Sequence, residues 1–291
     1  MKPLRPLLAG PGAVGLSRAA AWARAGHRCV GLYGRGPRSL ARGSRVLKAR
    51  IIRHGKETSE RDFDVLLIAV PDAAIAATAR AWARLPHWKG KSAFHTSGAL
   101  SSRLLTPLRE KGARVASLHP LTSIPRLSGN PRLFEGITFA LEGDSTACVL
   151  GARVIRQVGG RPLRISSQAK AAYHLAACLS SGYLLSYLVI ASELLEKAGG
   201  LPRRQSFPSL LELASATLAN ARRLGVRPAL TGPIVRGDLV TLRLHAKALE
   251  KAPPTVGLIY AVVAKKLLEL VKSGGREKLE TTRRIEALLS R

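Results

Sequence analysis

A short apolar run, Leu7-Leu8-Ala9, ends in Gly10-Pro11-Gly12-Ala13-Val14-Gly15, and this stretch restricts the possible folds more than any other. A helical pattern follows from Ala13 to Ala25 and stops at Gly26, and His27 to Tyr33 reads as a second strand. Strand, glycine turn, helix and strand in that order is the context in which Gly-x-Gly-x-x-Gly binds a dinucleotide. Gly10 permits the tight turn, Gly12 lets a pyrophosphate approach the backbone, and Gly15 lets the helix lie close to the strand. The first helical turn, with Pro11, Ala13 and Val14 around it, aims unpaired N–H groups and the positive end of its dipole at the phosphates.

The end of the second strand selects among dinucleotides. NAD-binding units place Asp or Glu about twenty residues past the turn to hold the ribose hydroxyls. Here no acidic residue occurs between Gly15 and Glu57, and the strand runs into Tyr33-Gly34-Arg35-Gly36-Pro37-Arg38-Ser39. Two guanidinium groups suit a 2′-phosphate, so Arg35 and Arg38 point to NADP(H) rather than NAD(H). The alternative is that both are ordinary surface arginines.

Strand and helix signals alternate over the first half of the chain. Arg50 to Arg53 is a thin third strand, and Asp64 to Val70 is a strong one whose unbroken apolar run fits burial on both faces of a parallel sheet. Asp72 is expected to cap a helix through Ala83. Lys91 to His95, Ala113 to Leu118, Ile137 to Leu141 and the region of Arg164-Ile165 read as further strands. Helices are expected over Ser101 to Lys111 and Thr146 to Val158. This alternation implies an α/β, doubly wound parallel sheet. Past Ser166 the strand signals stop, and helices are expected over Gln168–Ala198, Ser206–Leu224, Val235–Lys251, Thr255–Lys272 and Glu277–Ser290. The division expected is a dinucleotide-binding domain over 1–165 and an all-α substrate and dimerisation domain over 166–291, with a cleft between them.

Charge raises a second class of partner. Lys and Arg number 47 against 18 Asp and Glu, a formal charge of +29 in 291 residues. Such a chain attracts polyanions. The basic residues are spread throughout, aromatics are 4%, and no RNA-binding aromatic signature or zinc-finger spacing occurs. Specific nucleic-acid binding is therefore the lesser reading. Three scattered cysteines form neither a disulfide framework nor a metal site, which fits a reducing cytoplasm. Met1 to Pro6 leads into the first strand without a signal-peptide pattern. Ala171 to Ser192 lacks Asp, Glu, Lys and Arg and is long enough to span a bilayer. Its serines, tyrosines and Gly182 favour a buried helix of an α-helical domain, at a dimer interface, over a membrane span.

Ligands in open parallel sheets bind beyond the carboxyl ends of the strands. That rule places Val70-Pro71-Asp72, His95-Thr96-Ser97-Gly98 and His119-Pro120 on one rim with the glycine turn. The nicotinamide is expected near Val70, Pro71, Thr96 and Ser97, with His95 in a catalytic role and His119 and Ser97 as substrate contacts. A second cluster, Lys170-x-x-Tyr173-His174, puts Lys170 and His174 on one helix face. Carbonyl or imine reduction leaves charge on the heteroatom, which a cation can stabilise and an acid can protonate. Lys170 and His174 are the candidates for those tasks. A third, Leu230 to Asp238, offers Arg236 to an anionic substrate group, against the alternative of a structural turn.

Over nearly its full length the chain resembles a family classed with the oxidoreductases, in which a Rossmann-like domain precedes a C-terminal domain of unknown function. The resemblance rests on His95-Thr96-Ser97-Gly98-Ala99-Leu100, Ser117-Leu118-His119-Pro120-Leu121, Phe134-Glu135-Gly136, Lys170-x-x-Tyr173-His174-x-Ala176-Ala177 and Leu230-Thr231-Gly232-Pro233-x-x-Arg236-Gly237-Asp238. The family is similar to pyrroline-carboxylate and ketopantoate reductases and to phosphogluconate dehydrogenases. It implies a 6-phosphogluconate-dehydrogenase-like helical domain that supplies a catalytic lysine, here Lys170, and a homodimer interface. The family tends to carry Asn where this chain has Gly182, which bears on substrate contacts. Taken together the expectation is an NADP(H)-dependent dehydrogenase or reductase acting on a small carbonyl, hydroxy or imino compound. A non-catalytic NADP(H) sensor is the alternative, and a reduced deazaflavin or flavin in place of nicotinamide stays open.

Overall fold

The computed structural model describes residues 2–52, 62–124 and 132–272. The helix expected over Glu277–Ser290 lies outside them. Two compact units divide at Ser181/Gly182, later than the 165/166 boundary read from where strand signals stop.

The first unit is built on an eight-stranded sheet in the order β3-β2-β1-β4-β5-β6-β7-β8. The strands are β1 (Pro6–Ala9), β2 (Gly31–Tyr33), β3 (Arg50–Ile51), β4 (Val65–Ile68), β5 (Ser92–His95), β6 (Arg114–Pro120), β7 (Thr138–Gly143) and β8 (Arg161–Arg164). All neighbours run parallel except β6 and β7, which pair antiparallel with Leu118 opposite Leu141. Among the described residues no helix joins those two strands, and without a crossover helix consecutive strands return antiparallel.

The period-two rule divides the apolar strand residues between two faces. Leu8, Val65, Leu67, Phe94 and Leu118 enter one core with Leu16 and Trp22 of α1 (Ala13–Arg24) and Val154 of α5 (Ser145–Gln157). Leu7, Leu66, Ile68, Ala93 and Val115 enter the other with Ile75 and Trp82 of α3 (Asp72–Trp82) and Leu108 of α4 (Thr106–Glu110). An uninterrupted run such as Val65–Ile68 is thereby buried on both sides. Asp72 does not act as the cap expected of it. It is the first helical residue after Pro71, and its carboxylate is taken by Ser97 instead.

The last helix of this unit, α6 (Lys170–Leu179), carries Lys170, Tyr173 and His174. A single helix was expected from Gln168 to Ala198. The helix is interrupted at Ser180-Ser181, and α7 (Gly182–Gly199) begins there.

The second unit is helical. α7 packs against α8 (Arg203–Leu224), and Glu196 of α7 accepts hydrogen bonds from Ser192 and Ser206 at 2.9 and 2.8 Å. After a short α9 (Val226–Ala229), α10 (Pro233–Arg236), α11 (Leu239–Leu249) and α12 (Pro254–Lys272) enclose a small core of Ile234, Leu242, Ala264 and Leu268. Asp238 caps α11 by accepting from the Thr241 N–H at 3.0 Å and from its hydroxyl at 2.7 Å.

The apolar stretch expected to be buried is mostly not. The helical segment Lys170–Gly199 is long and apolar enough to cross a membrane by length and composition, and only 11% of its most apolar window is buried. Tyr183, Leu185 and Tyr187 are exposed along α7.

Candidate functional site

β1 ends at the turn that the glycines shape. Gly10 has φ +95°, a backbone conformation L side chains avoid, and a Cβ there would collide with the Ala69 carbonyl at the end of β4. Its N–H donates to the Tyr33 carbonyl at 2.8 Å, which ties the turn to the end of β2. A Cβ on Gly15 would collide with the Gly10 carbonyl, so α1 can lie this close to β1 only with glycine. Gly12 is different: a Cβ there meets nothing within 4 Å. It is the N-cap of α1 with no side chain capping it, so its open side is space for a ligand at a helix N-terminus.

Gly34 follows β2 so closely that a Cβ would lie 2.9 Å from Pro11. The segment bearing Arg35 and Arg38 is therefore anchored beside the glycine turn. Both arginines are exposed at the start of α2 (Pro37–Leu47). No hydrogen bond or ion pair engages them among the described residues.

A cavity of about 480 Å³ opens at the carboxyl ends of the strands. Gly12, Ala13 and Val14 form one wall; Val70, Pro71, Thr96 and Ser97 lie along another; His119 and His174 complete it. Sequence reasoning thus named residues on every side. Asp72, Gly98 and Pro120, placed on the same rim from the sequence, also line the cavity, and so do Ala69, Thr122 and Ile124, which sequence reasoning did not place there. Gly98 is needed for the two imidazoles: a Cβ there would lie 2.5 Å from His174 and 2.8 Å from His119 Nε2.

Lys170 and His95 lie behind this wall. Lys170 is 1% exposed, and its ammonium donates to the Ser97 carbonyl at 2.7 Å and to the Ser117 hydroxyl at 2.6 Å. Ser117 in turn donates to the same carbonyl at 3.0 Å. Burial lowers the Lys170 pKa to about 8, against the opposing pull of Glu142 and Asp72. Glu142 is itself buried and accepts from the Ser102 N–H and hydroxyl and from the Ser167 hydroxyl, at 2.7, 2.9 and 2.6 Å. Burial works to raise its pKa, but those bonds and Lys170 outweigh burial and hold it below the usual carboxylate range.

His95 is fully buried. Its Nδ1 accepts from the Ser97 N–H at 3.2 Å, and its Nε2 has no partner among the described residues. Burial, then the Lys170 charge, lowers its pKa to about 4.

The front of the wall is aromatic and polar. His119 Nδ1 lies 2.9 Å from the Tyr173 hydroxyl, and the His119 and His174 ring centroids are 5.9 Å apart. Burial, then the charges of Lys170 and Arg18, lowers the His119 pKa to about 3. Burial alone raises Tyr173 to about 12.

Sequence reasoning also missed Arg18. This α1 residue is buried, donates to the Leu118 carbonyl just before His119, and rests 5.4 Å over the Phe139 ring. Periodicity had no means of revealing it, since a lone arginine within an alanine-rich helix normally faces solvent. Arg236 belongs to the second unit, on α10. Its side chain is 64% exposed and 3.9 Å from Asp238. Among the described residues no cluster of histidine, cysteine and acidic side chains is suited to a metal.

Comparison with known proteins identifies both parts of the chain. Residues 7–120 match the Rossmann-like domain family. Residues 137–267 match a domain of unknown function, DUF2520. The two matches follow one another along the chain, a Rossmann-like domain and then DUF2520, in the order the sequence resemblance implied.

Among solved structures, a Bacteroides fragilis protein described as an NADP oxidoreductase aligns with a TM-score of 0.69 at 20% identity, covering 92% of this chain and 98% of its own. A reductive aminase from Aspergillus terreus, solved with NADPH and ethyl-5-oxohexanoate, gives 0.61 at 18% identity, covering 95% of each chain. A pyrroline-5-carboxylate reductase from Coxiella burnetii gives 0.60 at 14%, covering 99% of each. At such identities the likeness establishes the fold. A search of curated proteins finds no match.

Proposed function

We propose that this protein is an NADP(H)-dependent oxidoreductase acting on a small carbonyl, hydroxy or imino compound. The observation that carries the reading is the single cavity that brings the open face of the glycine turn together with His119, His174 and Ser97. The A. terreus aminase, of the same fold, was solved with NADPH and a keto ester, which supports the same cofactor and substrate classes here.

Gly10, Pro11, Gly12, Ala13, Val14 and Gly15 would hold the pyrophosphate, and Arg35 and Arg38 the 2′-phosphate. Val70, Pro71, Thr96 and Ser97 would face the nicotinamide, which supplies the hydride. His119, His174 and Ser97 would face the substrate.

Lys170 serves this site from beneath. Its two hydrogen bonds fix the Ser97 carbonyl and the Ser117 hydroxyl, and through them the rim formed by Thr96 and Ser97. His95 supports the same segment through the Ser97 N–H. The exposed apolar faces of the second unit support a homodimer, and the free cysteines fit a reducing cytoplasm.

The test is a panel of small ketones, hydroxy acids and cyclic imines followed by NADPH absorbance. Consumption of NADPH with at least one ketone or imine is expected. Tight NADPH binding with a silent panel would favour a sensor without chemistry.

A further inference from the structure

Of the two imidazoles in the cavity wall, only His119 is tethered by a hydroxyl. Its Nδ1 faces Tyr173 at 2.9 Å, with the two rings edge to face and their centroids 5.5 Å apart. Its other nitrogen, Nε2, is at the cavity wall, close against Gly98. An uncharged imidazole carries one proton, and the partner of one nitrogen determines which nitrogen bears it. A phenol is a stronger donor than an imidazole N–H, and an imidazole nitrogen is a stronger acceptor than a phenol oxygen. Among the described residues the Tyr173 hydroxyl has no other hydrogen-bond partner. Tyr173 therefore donates to Nδ1, and the ring proton is left on Nε2.

The surroundings keep the ring uncharged. The titratable groups that act on His119 are Lys170 and His174 from α6, Arg18 from α1 and His95 from β5, and each opposes a positive charge on it. With burial they place its protonation far below neutral pH. Tyr173 in turn keeps its proton throughout that range.

We propose that His119 is the catalytic acid, donating from Nε2 as an uncharged imidazole to the substrate heteroatom, and that Tyr173 is the positioning residue that holds it in that tautomer. The substrate contact rests on the reductase reading; the tautomer does not. As the acceptor carbon takes the hydride, the electron pair of its C=N or C=O bond moves to the heteroatom. That atom takes the Nε2 proton, the Tyr173 hydroxyl stabilises the ring left behind by donating its hydrogen bond to Nδ1, and solvent returns a proton to Nε2. The reduced nicotinamide is the reductant, and every proton has a source.

The test uses the full chain labelled with ¹⁵N-histidine, with His119 assigned by the signals lost in H119Q. Two-bond ¹H–¹⁵N spectra should show His119 uncharged and protonated at Nε2 at pH 7, and still so at pH 5. In Y173F the ring should move toward a mixture of tautomers. With NADP⁺ and cyclohexanone added, the Nε2–H resonance should shift in wild type. A ring protonated at Nδ1, an imidazolium at pH 7, an unchanged tautomer in Y173F or an unshifted Nε2–H would each overturn the proposal. NADPH binding measured on the same sample separates the two readings: no binding defeats the reductase reading, whereas the tautomer is read without cofactor.

Discussion

The two units of this chain solve the burial problem differently. In the sheet unit, Leu7, Leu8, Leu66, Leu67, Phe94 and Val115 are all fully buried, the buried polar groups Lys170, Ser97 and Ser117 hydrogen-bond one another, and buried Glu142 accepts from Ser102 and Ser167. In the helical unit the buried apolar cluster is Ile234, Leu242, Ala264 and Leu268, while Val240, Leu258 and Val262 are more than two-thirds exposed. A sheet covered by helices on both faces closes its own core. A few helices with broad apolar faces leave part of that area exposed, and a large exposed apolar patch is what an interaction surface requires. The contrast teaches that the residues lining the cavity all belong to the first unit, whereas the second leaves large apolar side chains exposed.

The largest expected effect breaks the first half of that contrast. Gly10→Ala forces a Cβ into the Ala69 carbonyl at a positive φ, which should cost about 2–4 kcal/mol of stability and abolish NADPH binding. Urea unfolding with calorimetry checks both. Normal affinity and stability in this variant would mean that the turn is not under the constraint described.

Next in size is a test of the covered surface. Val262, 71% exposed on α12, should lie in the interface of a dimer. Val262→Asp would bury an unpaired carboxylate there and weaken association at least about a hundredfold. Sedimentation should show a wild-type dimer and a monomeric variant with unchanged NADPH affinity. A wild-type monomer would remove the dimer.

An effect of comparable size, spread over a range of pH, concerns the buried His95. His95 has a folded-state pKa near 4, below the ordinary value of 6.5. As pH falls, the unfolded chain takes up this proton first, so stability present above pH 6.5 is lost toward pH 4. The loss from His95 is about 3 kcal/mol, and His95→Gln should flatten that slope in urea unfolding followed across the range. An equal slope in the variant would assign the acid sensitivity elsewhere.

Much of the sheet unit was legible because its determinants are local. Unbroken apolar runs give buried strands, Gly26 follows the end of α1, and Gly10, Gly12 and Gly15 carry steric requirements that read directly from their spacing. The antiparallel return of β7 was not legible, since strand direction depends on the connection and not on the strand's own residues. Depth was not legible either. The four-residue spacing placed Lys170 and His174 on one helix face, but only the packing of α6 against Ser97 and Ser117 shows that one is buried and the other lines the cavity. Likewise the apolar content of α7 was plain, while its exposure depends on what covers it.

The smallest expected effect is at the edge of the glycine turn. Arg35 and Arg38 are exposed, so each contact with a 2′-phosphate is screened by solvent. Arg35→Ser or Arg38→Ser should reduce the preference for NADPH over NADH by about tenfold each, roughly 1.4 kcal/mol. Unchanged ratios of the two dissociation constants would return both residues to the ordinary surface.

The turn after β1 is expected to cradle a diphosphate, and the arginines beside it to favour an additional phosphate. Isothermal titration of the wild-type chain with NADPH and with NADH measures this directly. One NADPH should bind per chain, at least about tenfold tighter than NADH. No heat with either nucleotide, or equal affinity for both, would contradict it.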